Sequence, residues 1–422
     1  MATVCRVKAL ETLVDQLWAP GAGTSVRVDV TSRPGAPRPG WTVAEQYWLL
    51  PGASQPRLLV PVAGAAVQRA ALTAHRGLRR PATNLARAAL GVVASTPAPL
   101  SRRRLVVRTR PEAPPLPLAR LAEELGRGPL HAAFGVRTGA NRKATLQLLD
   151  QHGEVVGHAK LGWNATADEY VRTETEALGV VGGRPAPMRA PRLLASFMQG
   201  GRPVAVVEPL PLDVRGVRGQ QPAPSPAELF ALCPVVRTGT AGETAQLSAA
   251  GTRLRALAKT HRDAGAGAGD EGRMLHHAVA LLDLVENDPR TVPIQARWHG
   301  DLTPWNCARG ADGQLWAWDW ESSEQDVVAG LDALHWEFSV RRETGGQADL
   351  SLVDCLAAAR PHLDAAGVAG SVRPLVAAVY VLTAVERAAT LARRHGAWEP
   401  VWISRTRLTE LSLEATRLLR RP

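Results

Sequence analysis

Residues 297–321 read RWHGDLTPWNCARGADGQLWAWDWE, and in them His299, Asp301, Asn306, Asp319 and Glu321 stand among Trp298, Trp305, Trp316, Trp318 and Trp320. Ionic and amide groups are costly beside apolar bulk unless a partner meets them. Any fold for this chain must therefore gather these side chains around a metal ion, a substrate or one another. The flanking runs PIQARW and LWAWDW have strand character, which would set Asp301, Asn306 and Asp319 at one end of a short hairpin. Oxygen donors such as Asn306 and Asp319 suit Mg²⁺, which takes one or two carboxylates together with substrate phosphates. Asp301 would then be left to orient a hydroxyl and take its proton. Phosphoryl transfer needs these parts, because its catalysis is mainly positioning and charge stabilisation.

The rest of the chain changes character from strands to helices. Residues 1–110 mix short strand-like runs (RLLVPVAG, 57–64) with a helical AAVQRAALTAHR (65–76), and RPEAPPLPLAR (110–120) is a proline-rich break that suggests a boundary. Two apolar runs then flank Gln151-His152-Gly153-Glu154, the pattern of a β-hairpin with Gly153 at positive φ. A helix is expected over 167–181, a strand over 202–212, and mostly helix after a loose stretch near GQQPAPSPAE; GAGAGD (265–270) reads as a loop. Strands gathered before helices favour an α+β fold over a doubly wound sheet. The expected domains are an N-terminal extension (1–110), a β-rich lobe (120–210) and a helical lobe (211–422).

At 422 residues the chain is long enough for two or three packed units. Its net charge of +11 invites a nucleic-acid partner, but the arginines are dispersed, and only Arg102, Arg103 and Arg104 cluster, without interleaved aromatics. No nucleic-acid partner is expected. Cys5, Cys233, Cys307 and Cys355 lack CxxC spacing, which argues against a zinc site or a disulfide framework. The N-terminus carries Glu11 and Asp15 inside its apolar pattern, and nowhere do eighteen uncharged apolar residues run together. The expectation is a cytoplasmic protein with no membrane partner; its oligomeric state is left open. G-x-x-x-x-G-K-[ST], G-x-S-x-G and H-E-x-x-H are all missing, so P-loop, serine-hydrolase and zinc-protease readings lack support.

HGDLTPWN resembles the catalytic loop H-R-D-L-x-x-x-N of protein kinases, with Gly300 in place of the arginine. The H-G-D-x-x-x-x-N form followed by D-W-E is similar to the aminoglycoside phosphotransferase family of small-molecule kinases. The resemblance implies a protein-kinase-like two-lobed fold, here preceded by the extension, with ATP or another nucleoside triphosphate and Mg²⁺ as cofactors. It implies His299 as the residue that orients the loop, Asp301 as catalytic base, Asn306 and Asp319 as metal ligands, and Asp332 as a brace for the loop. A kinase also needs a strand lysine paired with a helix glutamate. Lys160, one of only four lysines, lies in the second hairpin strand, and Glu174 follows fourteen residues later in a helical run. Glu176 fits less well, since two positions turn about 200° around a helix. The turn RTGANRK (137–143) would cover the phosphates, and VVEPL (206–210) resembles the connector whose backbone meets adenine, which implicates Glu208 and Leu210.

The implied reaction moves the γ-phosphoryl group to a hydroxyl of a small molecule. An aminoglycoside site should be rich in acidic side chains, and the segment after Asp332 is short of them outside Glu337 and a few scattered carboxylates. A sugar-like acceptor is favoured. Trp305, inside the loop, is the aromatic placed to stack on it, while the other tryptophans should pack around the site. The alternative is a kinase-like interaction protein with weak or no catalysis.

Overall fold

In the computed structural model, residues 2–18, 25–32, 38–136, 143–217, 223–264, 269–346, 350–399 and 403–421 are described, with the side chains of 2–6 left aside. RTGANR (137–142), most of GAGAGD and part of GQQPAPSPAE lie outside them. The chain forms two compact units, Met1–Gly183 with Pro191–Arg215, and Arg184–Ala190 with Gly216–Pro422.

The first unit opens with α1 (Ala2–Trp18), β1 (Val26–Thr31), β2 (Thr42–Leu50), β3 (Leu58–Pro61), α2 (Ala65–Thr73), α3 (Pro81–Val93) and β4 (Arg104–Thr109). It continues through α4 (Pro117–Glu124), β5 (His131–Gly135), β6 (Ala144–Leu149), β7 (Val155–Leu161) and α5 (Ala165–Val181). The short β8 (Met188–Arg189) belongs to the second unit, and β9 (Leu193–Gln199) and β10 (Arg202–Val207) complete the first. Among the described residues, strands β1 to β7 with β9 and β10 form one sheet, ordered β1-β4-β2-β3-β5-β6-β7-β10-β9.

The proline-rich stretch therefore does not divide two domains. β3 pairs with β5 (Leu58↔Gly135, Leu59↔Phe134) and carries the sheet from the extension into the lobe. The prolines lead into α4, whose first residue is Pro117, a position where a missing N–H costs nothing. Period-two alternation sends Tyr47 and Leu49 to the face covered by α1 and α4 (Leu10, Leu13, Leu17, Leu118, Leu121). Trp48 and Leu50 point to the opposite face, against Val67, Ala71 and Leu72 of α2. The expected hairpin is β6–β7, with Gly153 at φ 86° in its turn.

From β11 (Arg215–Gly216) the chain passes to α6 (Pro226–Ala231), β12 (Val235–Thr240), α7 (Ala245–Asp263), α8 (Asp270–Glu286) and β13 (Thr291–Trp298). Then come β14 (Cys307–Arg309), β15 (Leu315–Ala317), β16 (Glu324–Val328), α9 (Leu331–Gly345), α10 (Leu352–Ala358), α11 (Arg360–Ala365), α12 (Arg373–His395) and α13 (Arg405–Leu419). The architecture is α+β, a strand-rich unit and a largely helical one. β13 is not the hairpin partner of LWAWDW, as its strand pattern suggested. It pairs with β12 and β16, while β15 pairs with β14 and, in parallel, with β8.

α12 lies at the centre of the second unit, buried without interruption from Leu375 to Thr383. Among the described residues, its span Gly370–His395 is long and apolar enough to cross a membrane, and 72% of that apolar window is buried inside the fold, as befits a core helix. Cys233, Cys307 and Cys355 are buried free thiols.

Candidate functional site

β13 delivers His299 to a turn that few residues could occupy. Gly300 has φ 82°, and a Cβ there would lie 2.0 Å from the carbonyl oxygen of Ser322. Both the left-handed backbone and the close carbonyl demand glycine, which accounts for the missing arginine of the protein-kinase pattern. The buried carboxylate of Asp332, in the first turn of α9, accepts the backbone N–H groups of His299 (2.7 Å) and Gly300 (3.0 Å). This is the brace that the resemblance implied. Arg387 of α12 adds a second clamp: it donates to the carbonyls of Gly300 and Ser322 and to Glu324, and its guanidinium lies 4.6 Å over the Trp298 ring.

His299 is buried, with its Nδ1 accepting from the Asp301 backbone N–H at 3.2 Å. Its proton then sits on Nε2, which donates to the Trp318 carbonyl at 3.0 Å. Burial holds its pKa below the usual imidazole range despite nearby Asp332 and Asp301, so the ring is a neutral strut at pH 7. Trp320 packs beside it at 4.5 Å between centroids.

Asp301 keeps a side chain 40% exposed. Asn306 Nδ2 donates to its Oδ2 at 2.8 Å and to its backbone carbonyl at 3.0 Å. The Asn306 carbonyl in turn accepts from the Trp318 N–H at 3.1 Å, which ties the loop to the segment entering Asp319. Asp319 has φ 64° and ψ 55°, a strained conformation that an aspartate tolerates better than most residues. With the Asn306 amide nitrogen committed to Asp301, its amide oxygen is the atom left that could face a cation, and the Asp319 carboxylate could supply a second hard oxygen of the kind magnesium takes. Glu321 follows in a short turn over Trp320–Ser322.

In the first unit, Lys160 of β7 and Glu174 of α5 form a buried ion pair, Nζ to Oε1, at 2.5 Å. Asn164 caps α5 by accepting from the Ala167 N–H, and the rotation of that helix buries Val171, Glu174 and Leu178 while Glu176 stays exposed. Glu174 Oε2 is also buried and, among the described residues, has no hydrogen-bond partner, although a carboxylate has lone pairs to fill. The connector after β10 is anchored on two sides. The Glu208 side chain accepts from the Arg192 N–H at 2.8 Å, and the Leu210 carbonyl meets His75 Nε2 at 2.9 Å.

Within the second unit the structure gathers His299, Asp301, Asn306 and Asp319, and in the first it gathers Lys160 with Glu174. Sequence reasoning missed Arg387, His75 and a pair beside the Asp301 carboxylate, His335 and Tyr380. Only His335 had a local signal, one helical turn after Asp332. Trp298, Trp316 and Trp320 are buried packing residues, whereas Trp305 is 44% exposed.

The α+β fold thus carries a strand lysine paired with a helix glutamate in one unit, and an H-G-D-x-x-x-x-N loop braced by a helix aspartate in the other. No family model matches the sequence, and no curated protein does. Among solved structures, a putative fructosamine-3-kinase from Haemophilus somnus is 9% identical, with a TM-score of 0.41 over 71% of this chain and 95% of that one. LicA in complex with AMP is 11% identical, with a TM-score of 0.41 over 71% and 96%. Choline kinase LicA from Streptococcus pneumoniae is 10% identical, with a TM-score of 0.37 over 67% and 90%.

Proposed function

We propose that the chain is a phosphotransferase that moves the γ-phosphoryl group of ATP, or another nucleoside triphosphate, to a hydroxyl of a small, sugar-like molecule. The observation that carries this is the half-exposed Asp301 carboxylate, held by the Asn306 amide on a loop pinned by neutral His299 and by Asp332. Such a carboxylate is free to accept a proton and too restrained to swing away.

Asn306 and Asp319 would hold a magnesium ion, whose charge offsets that of the phosphates. Lys160, aimed by Glu174, would grip the α- and β-phosphates. The Glu208 carbonyl and the Leu210 N–H are the connector groups that a base would meet. Asp301 orients the acceptor hydroxyl and takes its proton as the acceptor oxygen bonds to the γ-phosphorus; the bond from phosphorus to the bridging oxygen breaks, and the diphosphate leaves with that electron pair. Exposed Trp305 offers a flat apolar surface to a sugar ring, and the segment after Asp332 carries few carboxylates to meet the ammonium groups of an aminoglycoside.

The test is thermal unfolding with ATP, with and without Mg²⁺, followed by a screen of sugars and aminoglycosides for acceptor-dependent diphosphate release. Nucleotide at a hundred times its dissociation constant should stabilise by about 2.7 kcal/mol. Asp319→Ala should lose the magnesium-dependent part, and Asp301→Asn should keep it while turnover falls by roughly 10²- to 10⁴-fold. A chain that shows no shift with any nucleotide would be an interaction protein, and an aminoglycoside turned over faster than any sugar would overturn the acceptor class.

A further inference from the structure

We infer that His335 is a positioning residue for Asp301, coupling the buried hydroxyl of Tyr380 to the carboxylate that takes the acceptor proton; the inference rests on the phosphotransfer reading above. His335 lies on α9 one turn after Asp332, on the same helical face. One helix thus supplies both the brace for the loop backbone and a contact to the side chain of the base.

Its two ring nitrogens are both engaged. Nε2 is 3.1 Å from Asp301 Oδ1, and Nδ1 is 3.1 Å from the Tyr380 hydroxyl. Tyr380, in the middle of α12, is buried and packs against Phe338 at 4.8 Å. Burial pushes its phenol far above the usual range, so it keeps its proton, and among the described residues His335 is its hydrogen-bond partner. A phenol that keeps its proton donates to Nδ1, and the ring proton then resides on Nε2, pointed at Asp301. The opposite neutral tautomer would set the Nε2 lone pair against the lone pairs of the carboxylate.

The consequence is a carboxylate held at both oxygens, Oδ2 by Asn306 and Oδ1 by His335. Each oxygen retains a second acceptor site for the hydroxyl of the substrate. The plane of the carboxylate is fixed, as transfer to an aligned hydroxyl requires. This role differs from that of His299, which lies inside the loop and holds only backbone. The hydrogen-bonded route from Tyr380 to Asp301 runs through the imidazole.

The full chain can be tested by MgATP turnover with water as acceptor and, once one is found, with the sugar acceptor. His335→Ala should lower kcat about tenfold or more and leave magnesium-dependent thermal stabilisation by ATP intact. His335→Gln, whose amide nitrogen reaches the place of Nε2, should return to within about threefold of the parent. Tyr380→Phe should slow the parent but add nothing in the His335→Ala background. Full kcat in His335→Ala, or additive effects in the double variant, would overturn the inference. Asp301→Asn run in parallel separates the two claims: if it keeps turnover, the phosphotransfer reading falls, and if it loses turnover while His335→Ala does not, only the role of His335 falls. Long-range ¹H–¹⁵N spectra of the histidine rings give a readout free of turnover. The parent should show His335 protonated on Nε2, and an Nδ1–H tautomer would overturn the arrangement.

Discussion

The Nε2 atom of His75 lies 2.9 Å from the carbonyl oxygen of Leu210, 135 residues further along the chain. It gives the N-terminal extension a physical role in its own unit. The extension continues the sheet through β3 and β5, and its His75 holds the connector that follows β10. Burial lowers the His75 pKa, so at pH 7 the ring is neutral and its Nε2–H donates to the carbonyl.

His75→Ala should therefore leave a buried carbonyl without a donor, at a cost of about 1–3 kcal/mol. Urea unfolding would register that loss, and nucleotide titration should show weaker binding if the connector meets the base. The pH dependence has a definite sign. A folded-state pKa below the ordinary value of 6.5 means that the unfolded chain binds the proton more readily. The contribution of His75 is present above that pH and declines as the pH falls below it, a trend that His75→Ala should weaken.

Glu45 should give the opposite trend in the same unit. Burial raises its carboxyl from 4.5 to about 7, against the opposing hydrogen bonds from Tyr47 (2.6 Å) and Trp18 (3.2 Å). Here the folded state binds the proton more tightly. The stabilisation is complete below the unfolded value of 4.5 and is lost as the pH rises through about 7. The loss should be on the order of 1–3 kcal/mol between about pH 5 and pH 8. Melting temperatures across that range would show the decline in the parent and a flatter profile in Glu45→Gln; equal slopes in the two would remove Glu45 as the cause.

Gly300→Ala tests why the loop departs from the protein-kinase pattern. The new methyl would fall 2.0 Å from the Ser322 oxygen at φ 82°, so the turn must shift and the Asp332 and Arg387 contacts with it. Destabilisation of about 2 kcal/mol or more and loss of turnover are expected. Gly40 is the control, because it too has positive φ (76°) but nothing within 4 Å of its added Cβ. Gly40→Ala should cost only about 1–2 kcal/mol. Equal losses at the two positions in urea unfolding would mean that the carbonyl contact plays no part.

The parts of the site that were legible in sequence are those fixed by local spacing. Asp301 and Asn306 lie in one loop, and the helical angle chose Glu174 over Glu176. Lys160 stood out because lysine is scarce in a chain whose basic residues are nearly all arginine. What stayed hidden depends on contacts distant in sequence. Leu59 and Phe134 pair across 75 positions with no local mark, so the prolines between them passed for a linker. β14 spans only Cys307–Arg309, too short for a period, so LWAWDW was matched to the longer strand before it. His335 and Tyr380 meet 45 residues apart, on two helices whose crossing no sequence pattern announces.

The Lys160–Glu174 pair offers a separation of folding from function. Both groups are buried, 2.5 Å apart, and removing one partner strands a charge away from water. Lys160→Met alone should cost about 3–5 kcal/mol, and Glu174→Gln alone should also destabilise. The double variant Lys160→Met/Glu174→Leu replaces the pair with apolar bulk and should recover much of that loss, since buried ion pairs rarely out-stabilise well-packed hydrophobic substitutes. If the pair exists to grip phosphates, the refolded double variant should still gain no stability from MgATP. Melting curves of the four proteins, each with and without the nucleotide, decide the matter. Recovery of both stability and the nucleotide shift would make the pair a structural feature of β7 and α5, and recovery of stability alone would assign it to the nucleotide.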